Sequence, residues 1–363
     1  MALPTSTSPH APGARRLGAA FAVLVSFAVL CLPASASARK TAANWDAAEQ
    51  RAVVEAGVMS EASPGNFNGA APISPQAEKQ ALSAIAARGA QDEEDSEGAA
   101  PASPAVPPPA VSSSATITVT RFDALIVDQL GLAQTAAHVQ LVAAAAGLQP
   151  PSYFGTEVVA RYLGLRYDHP AGEDSLELYP WNAITRAEAA HSFAVVLEEG
   201  AWAVEGARQE LETFSLPHYD SAQLAVLRIA VSKIGMPYVW GGTTDGTEDG
   251  LEHGGYDCSG FAWRVYKLSG LPWGNQIHGR TAAEQAGEIP KSARIRLAGV
   301  QGGDLLFFGS AHFNSKATEA NIIHEGIALS DEWAIHSSGQ GVYVLPLTSG
   351  WLAQQFAWAR RVI

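Results

Sequence analysis

The C-terminal part of this chain is expected to adopt an α+β fold, on two observations. Apolar residues recur at helical spacing over 221–234 and again after Cys258. Beyond Leu297 they gather in short β-rich runs bounded by Gly, Asp and Ser, which read as an antiparallel set of strands. Helical patterns at 39–88 and 115–200 add an α-helical region in front.

The elements follow in order. Arg15 and Arg16 precede an apolar run (17–32) and small residues 34–38 that offer A-x-A cleavage sites, so 1–38 reads as an export signal peptide. The run is short for a membrane span, and a retained anchor is the alternative. The arginine pair suggests twin-arginine export, and Leu30 before Cys31 argues against a lipoprotein. Within 39–88, WDAAEQRAVVEAGV carries apolar groups at Ala48, Ala52, Val53 and Ala56. A second helix follows, with Ser74 as N-cap and Pro75 in its first position. Residues 89–114 are acidic, then Pro-rich, then Ser-rich: a linker that cannot bury a core. In 115–200, Thr120 and Thr185 each stand before Arg at the start of an amphipathic helix, a weak internal repeat. Residues 201–220 connect to a domain at 221–363, which opens with a helix ended by Gly235.

Composition narrows the function. Hydrophobic residues make up 47% and charged residues 16%, which suits folded protein. The formal net charge of -13 argues against a nucleic-acid partner, which would need a basic stripe. It also means that charge attraction cannot bring the protein to an anionic wall. Signal removal would take Cys31 and leave Cys258 as the single thiol of an exported chain, a pattern that calls for a catalytic hypothesis.

Asp257 can cap the helix that Cys258 opens, with Phe261, Val265 and Leu268 facing the core. Backbone N–H groups and the positive end of the helix dipole would then stabilise a thiolate, lowering its pKa from about 8.5, and would face a tetrahedral oxyanion. A buried, inert cysteine is the plain alternative. The base should be a histidine. His324 and His336 lie in two strand-like runs joined by a short turn. A hairpin symmetric about Ser330 places them directly opposite, with Cβ atoms about 4.5–5.5 Å apart; a slip of one residue would separate them. No metal or cofactor is called for. HExxH is absent, TDGTEDGLE lacks calcium-loop spacing, and His278 and His312 stand alone.

Two resemblances extend this reading. YPWNAITRAEA (179–189) resembles the end of an S-layer homology repeat, and FNGAAPISPQAEKQAL (67–82) and ITVTRFDALIVDQL (117–130) resemble it more loosely. The resemblance implies a repeat unit over 39–88 and 115–200 that grips a secondary cell-wall polymer, with Arg186 as the best candidate contact. Plain helical hairpins are the alternative. In the C-terminal domain, MPYVWGG (236–242), YDCSGFAWRVYKLSG (256–270), GGDLLFFG (302–309), HEGIAL (324–329), WAIHSS (333–338) and WARR (358–361) stand in the order of the NlpC-type cell-wall peptidases. That likeness implies a minimal papain-like cysteine peptidase. Cys258 would be the nucleophile, His324 the base and His336 the orienting member, with Tyr238, Asp257 and Ser259 holding substrate. The substrate would be a peptidoglycan stem peptide, cut between D-glutamate and a diamino acid, outside the cell or at its surface. An amidase, a transferase and a non-catalytic wall-binding protein are the alternatives. Glu325 stands where a small apolar residue usually follows the histidine, Gly302 replaces a proline, and the loops at 243–255 and 309–323 are long.

Overall fold

The computed structural model describes residues 45–95, 116–170, 172–247, 251, 253–270 and 272–363; the expected signal peptide and most of the linker lie outside them. The helices are α1 (Ala47–Glu55), α2 (Pro75–Asp95), α3 (Val119–Gln129), α4 (Ala133–Ala145), α5 (Phe154–Tyr162), α6 (Arg186–Glu212), α7 (Ser221–Ser232), α8 (Cys258–Leu268), α9 (Ala282–Gly287) and α10 (Gly350–Gln355). The strands are β1 (Thr243–Thr244), β2 (Gly255–Tyr256), β3 (Leu305–Phe308), β4 (His324–Ala328), β5 (Trp333–Ser338), β6 (Gly341–Pro346) and β7 (Phe356–Arg360). None of the described helices is long and apolar enough to cross a membrane.

Local chemistry sets most boundaries. Ser74 Oγ accepts from Ala77 N–H at the start of α2, and Thr185 Oγ1 accepts from Glu188 N–H at the start of α6. Asp220 and Gln223 form a reciprocal capping box on α7. Three expectations shift. The cap of α3 is Thr118, whose Oγ1 accepts from Arg121 N–H, and Thr120 lies inside the helix. The reason is a backbone bridge from Thr118 to Ala183, which holds Thr118 extended, as a cap must be. Helix α2 runs on to Asp95, into the segment expected as linker; residues 89–95 contain no proline, and one glycine costs a helix only about 1 kcal/mol. The expected connector 201–220 is helical as far as Glu212, because Ala207 and Leu211 supply a buried stripe; the run bends at Gly200, where φ is 66°.

Three segments of the helical half meet backbone to backbone. Ile73 N–H donates to Ile184 O (3.1 Å), Ile184 N–H to Ile117 O (3.0 Å) and Val119 N–H to Asn182 O (3.0 Å). Phe122, Phe154 and Phe193 fill the space beneath. This core continues into the C-terminal half, where Phe214 packs edge-on against Trp333 at 5.0 Å. Polar bonds cross the same junction: Arg161 Nη2 donates to Gly235 O (2.9 Å) and Arg166 N–H to Gln340 Oε1 (3.0 Å).

The C-terminal half is an antiparallel sheet in the order β6-β5-β4-β3-β7, mixed with helices. Both faces of β3 are covered. Leu305 and Phe307 pack on the helix side, Leu306 and Phe308 on the side of Leu352 and Trp351, so the strand is apolar throughout. Helix α8 lies against β4 and β5, so its first residue is delivered to the end of the sheet where β4 begins.

Candidate active site

Asp257 fixes the start of α8. Its Oδ1 accepts from Gly260 N–H (2.6 Å) and its Oδ2 from Gly241 N–H (3.0 Å). Arg280 grips the same carboxylate with two bonds, at 2.9 and 2.8 Å. Ser259 is buried, and Gln285 Nε2 donates to its carbonyl (3.2 Å). Asp257 and Ser259 thus help hold the helix end that Cys258 opens. Tyr238 is half-buried and its backbone bridges Tyr256, two residues ahead of Cys258. Trp240 beside it is 67% exposed.

Cys258 is half-buried. Its sulfur lies against the backbone N–H groups of Ser259 and Glu325. The second contact puts it beside β4 at the peptide that follows His324. The ladder between β4 and β5 ends at Gly326↔His336, so the sulfur approaches where those strands part.

The two histidines meet, though not in the register expected. Gly326, not His324, is opposite His336; the pairs Ile327↔Ile335 and Ala328↔Ala334 centre the turn on Asp331. Ser330 is the cause: its Oγ accepts from both Glu332 N–H and Trp333 N–H (3.1 Å each), moving the tip one residue on. The register differs by two, so both histidines keep one face as diagonal neighbours. Glycine at 326 leaves room: a Cβ there would lie 3.0 Å from His336 Cβ. His324 Nε2 and His336 Nδ1 are 2.9 Å apart and the rings stand at 88°. Phe308 and Trp351 wall His324, with ring centroids at 5.8 and 5.6 Å, and Tyr343 lies 4.4 Å from His336.

Electrostatics depart from expectation. Burial pushes the Cys258 thiol up to about 12, with the Asp257 and Glu325 carboxyls adding to the rise and the two N–H contacts opposing it. Burial lowers His324 to about 4 and His336 well below the ordinary histidine value. The helix dipole that was expected to depress the thiol is outweighed by desolvation and two nearby acids. Both shifts favour the uncharged thiol and the uncharged imidazole.

Glu325 and Arg280 carry more of the site than sequence reasoning assigned them. Glu325 is fully buried, and neither carboxyl oxygen has a hydrogen-bond partner among the described residues. Burial raises its pKa far above the carboxylate range. Arg280 has a local signal only in hindsight: it precedes the capping box Thr281–Glu284 of α9, and nothing in sequence ties it to Asp257. No group of three or more His, Cys, Asp or Glu among the described residues is placed to hold a metal ion.

A cysteine opening a helix, beside two adjoining strands that present hydrogen-bonded imidazoles, is the arrangement of a papain-like thiol peptidase. Residues 235–361 match the NlpC/P60 family, and the C-terminal region is a domain of that family. It is similar to a gamma-D-glutamyl-L-lysine dipeptidyl-peptidase of Bacillus cereus, 30% identical over 133 residues, covering 36% of this chain and 33% of the relative. It is also similar to a bifunctional muramidase/DL-endopeptidase of Bacillus subtilis, 32% identical over 126 residues, 35% of this chain and 32% of the relative. A probable peptidoglycan endopeptidase of Bacillus subtilis is 28% identical over 132 residues, 36% of this chain and 32% of the relative. The chain thus spans about a third of the length of these curated relatives.

Proposed function

We propose that the C-terminal domain hydrolyses peptidoglycan stem peptides at the bond between D-glutamate and a diamino acid, outside the cell. The carrying observation is the 2.9 Å contact between His324 and His336 next to the strand whose Glu325 N–H meets the Cys258 sulfur. The dipeptidyl-peptidase and DL-endopeptidase relatives support this bond class by their names.

For His324 Nδ1 to act as base, Nε2 must hold its hydrogen and donate to His336 Nδ1, which the 2.9 Å contact allows. With the thiol high and the imidazole low, a free thiolate is scarce. The proton moves from sulfur to His324 as sulfur attacks the scissile carbonyl, not before. The oxyanion faces the N–H of Cys258, which as the first residue of α8 has no intrahelical partner. His324 then gives that proton to the leaving amine, and the C–N bond breaks to leave a thioester. Water, deprotonated by His324, releases the acid and restores the thiol. In this reading Tyr238, half-buried beside the helix start, contacts the peptide, and Asp257 and Ser259 hold the helix end.

The experiment is mass spectrometry of peptidoglycan fragments. Wild type should release stem-peptide products cut after D-glutamate, and Cys258→Ala should reduce release by roughly 10⁴-fold or more. Cleavage at the sugar–peptide link would establish the amidase. No release by wild type would favour a wall-binding module, the reading to which the raised thiol pKa lends weight.

The helical half is proposed to attach the enzyme to a secondary wall polymer as an S-layer homology-like unit. The meeting of residues 69–74, 117–120 and 180–187 supports this. Arg186, the candidate contact, donates to Phe67 O and Ser60 O and lies over the Phe67 ring.

A further inference from the structure

We propose that the Tyr179–Trp181 corner is a saccharide-binding platform that holds a pyranose ring of the glycan strand whose stem peptide enters the Cys258 cleft. The inference rests on the endopeptidase reading for the identity of the strand.

The corner is a pile of three rings. Trp181 stacks on Tyr179 at 5.0 Å and 7°, and Tyr179 stacks on His253 at 4.3 Å and 29°. The inner faces are spent on one another, whereas Trp181 is 58% exposed. A flat indole backed by two more rings suits the apolar C–H face of a sugar: large contact area with little side-chain entropy left to lose. The backbone is fixed too. Tyr179 N–H donates to Asn182 Oδ1 (2.8 Å), Asn182 N–H to Tyr179 O (2.9 Å) and Thr120 N–H to Pro180 O (3.2 Å).

Position links the corner to the cleft. Pro180 Cγ sits 3.1 Å from where a Cβ on Gly235 would be, three residues before Tyr238. The Tyr179 phenol lies against Gly254 N–H. His253 precedes Cys258 by five positions, so the inner end of the stack is within about 18 Å of the nucleophile. In the proposed substrate, two amino acids and a lactyl group separate the sugar from the scissile bond, roughly 10 Å when extended. One strand touches both places where the folded spacing falls near that length, well inside the ceiling of about 18 Å. Trp240, 67% exposed, adjoins Gly241, whose N–H is bonded to Asp257.

Charge selects among sugars. Asp245 acts on Tyr179, and the chain is strongly acidic. A neutral N-acetylhexosamine fits such a rim better than an anionic polymer.

The test compares two substrates and one peptide-free ligand. With a stem peptide attached to its disaccharide, Trp181→Ala should raise KM about tenfold while kcat stays within about twofold. With the free stem peptide, neither should change. Trp202→Ala, which removes an equally exposed tryptophan on α6, should change nothing. Saturation-transfer NMR with a peptide-free tetrasaccharide of alternating N-acetylglucosamine and N-acetylmuramic acid should show contact in wild type and lose it in Trp181→Ala. Equal KM effects on both substrates, or no transfer to the wild-type protein, overturns the platform. If neither substrate is cut, the endopeptidase reading fails, and the NMR result still decides the platform.

Discussion

Glu325 leaves β4 on the face opposite His324, toward α8, while its backbone N–H reaches the Cys258 sulfur. One residue therefore both steadies the sulfur, through its main chain, and opposes its ionisation, through its side chain. Removing only the charge separates the two. Glu325→Gln should lower the pH midpoint for iodoacetamide alkylation of Cys258, because no carboxylate can then form beside the sulfur at the alkaline pH where the thiol titrates. Wild type should titrate above the ordinary thiol value of about 8.5. A midpoint unchanged by the substitution would mean that the Glu325 charge does not reach the sulfur. The sequence made Cys258, His324 and His336 legible as candidates through residue type and spacing. It could not reveal the thiol's proton affinity. That quantity depends on how much protein covers the sulfur and on the carboxyls beside it, and both are set by packing of α8 on the sheet.

At the scale of elements, the start of α8 is held by close contact as well as by hydrogen bonds. A Cβ at Gly260 would meet Gly242 O at 2.1 Å and Asp257 Oδ1 at 2.9 Å. The nearer atom is backbone, in the loop that also donates Gly241 N–H to Asp257. Gly260→Ala should therefore push the helix end off its loop. The expected destabilisation is about 1–3 kcal/mol, read as a lowered Tm by calorimetry, with a larger proportional loss of activity than of folded protein. Full activity at an unchanged Tm would show that the loop yields freely. The helix itself was readable from Asp257 and the apolar stripe behind it. The β4–β5 hairpin was readable as strands, but its register followed from Ser330 capping the turn, a choice that the apolar pattern leaves open because a shift of two keeps every side chain on its face.

Across the whole molecule, the junction between the two halves stores titratable groups away from water. Arg161 pairs with Glu157 (3.0 Å) and Arg166 with Asp123 (2.8 Å); His169 lies between Glu177 and Glu188 at 3.0 and 3.4 Å. Burial raises Asp123 to about 8, Asp168 to about 7 and Glu177 to about 8, and raises Glu188 as well. In the unfolded chain these carboxyls ionise near 4. Between those values the folded protein keeps protons that the unfolded chain has released, so stability falls as pH rises from about 4 through 8. The buried histidines act in the other direction. His169, His324 and His336 are lowered by burial, so their contribution is lost as pH falls below about 6.5. Below about pH 6.5 the two trends oppose each other, and above it the fall alone remains, so Tm should decline from about pH 6.5 toward pH 8.5. Glu177→Gln keeps one oxygen to accept from His169 N–H, a bond of 2.8 Å in wild type, and removes one proton from the balance, so it should shrink that decline. Calorimetry at intervals from pH 4.5 to 8.5 measures both. A wild-type Tm that is level or rising from pH 6 to 8.5 would show that the arginines already hold these carboxyls ionised, and that the junction is a set of salt bridges instead of a store of buried acids.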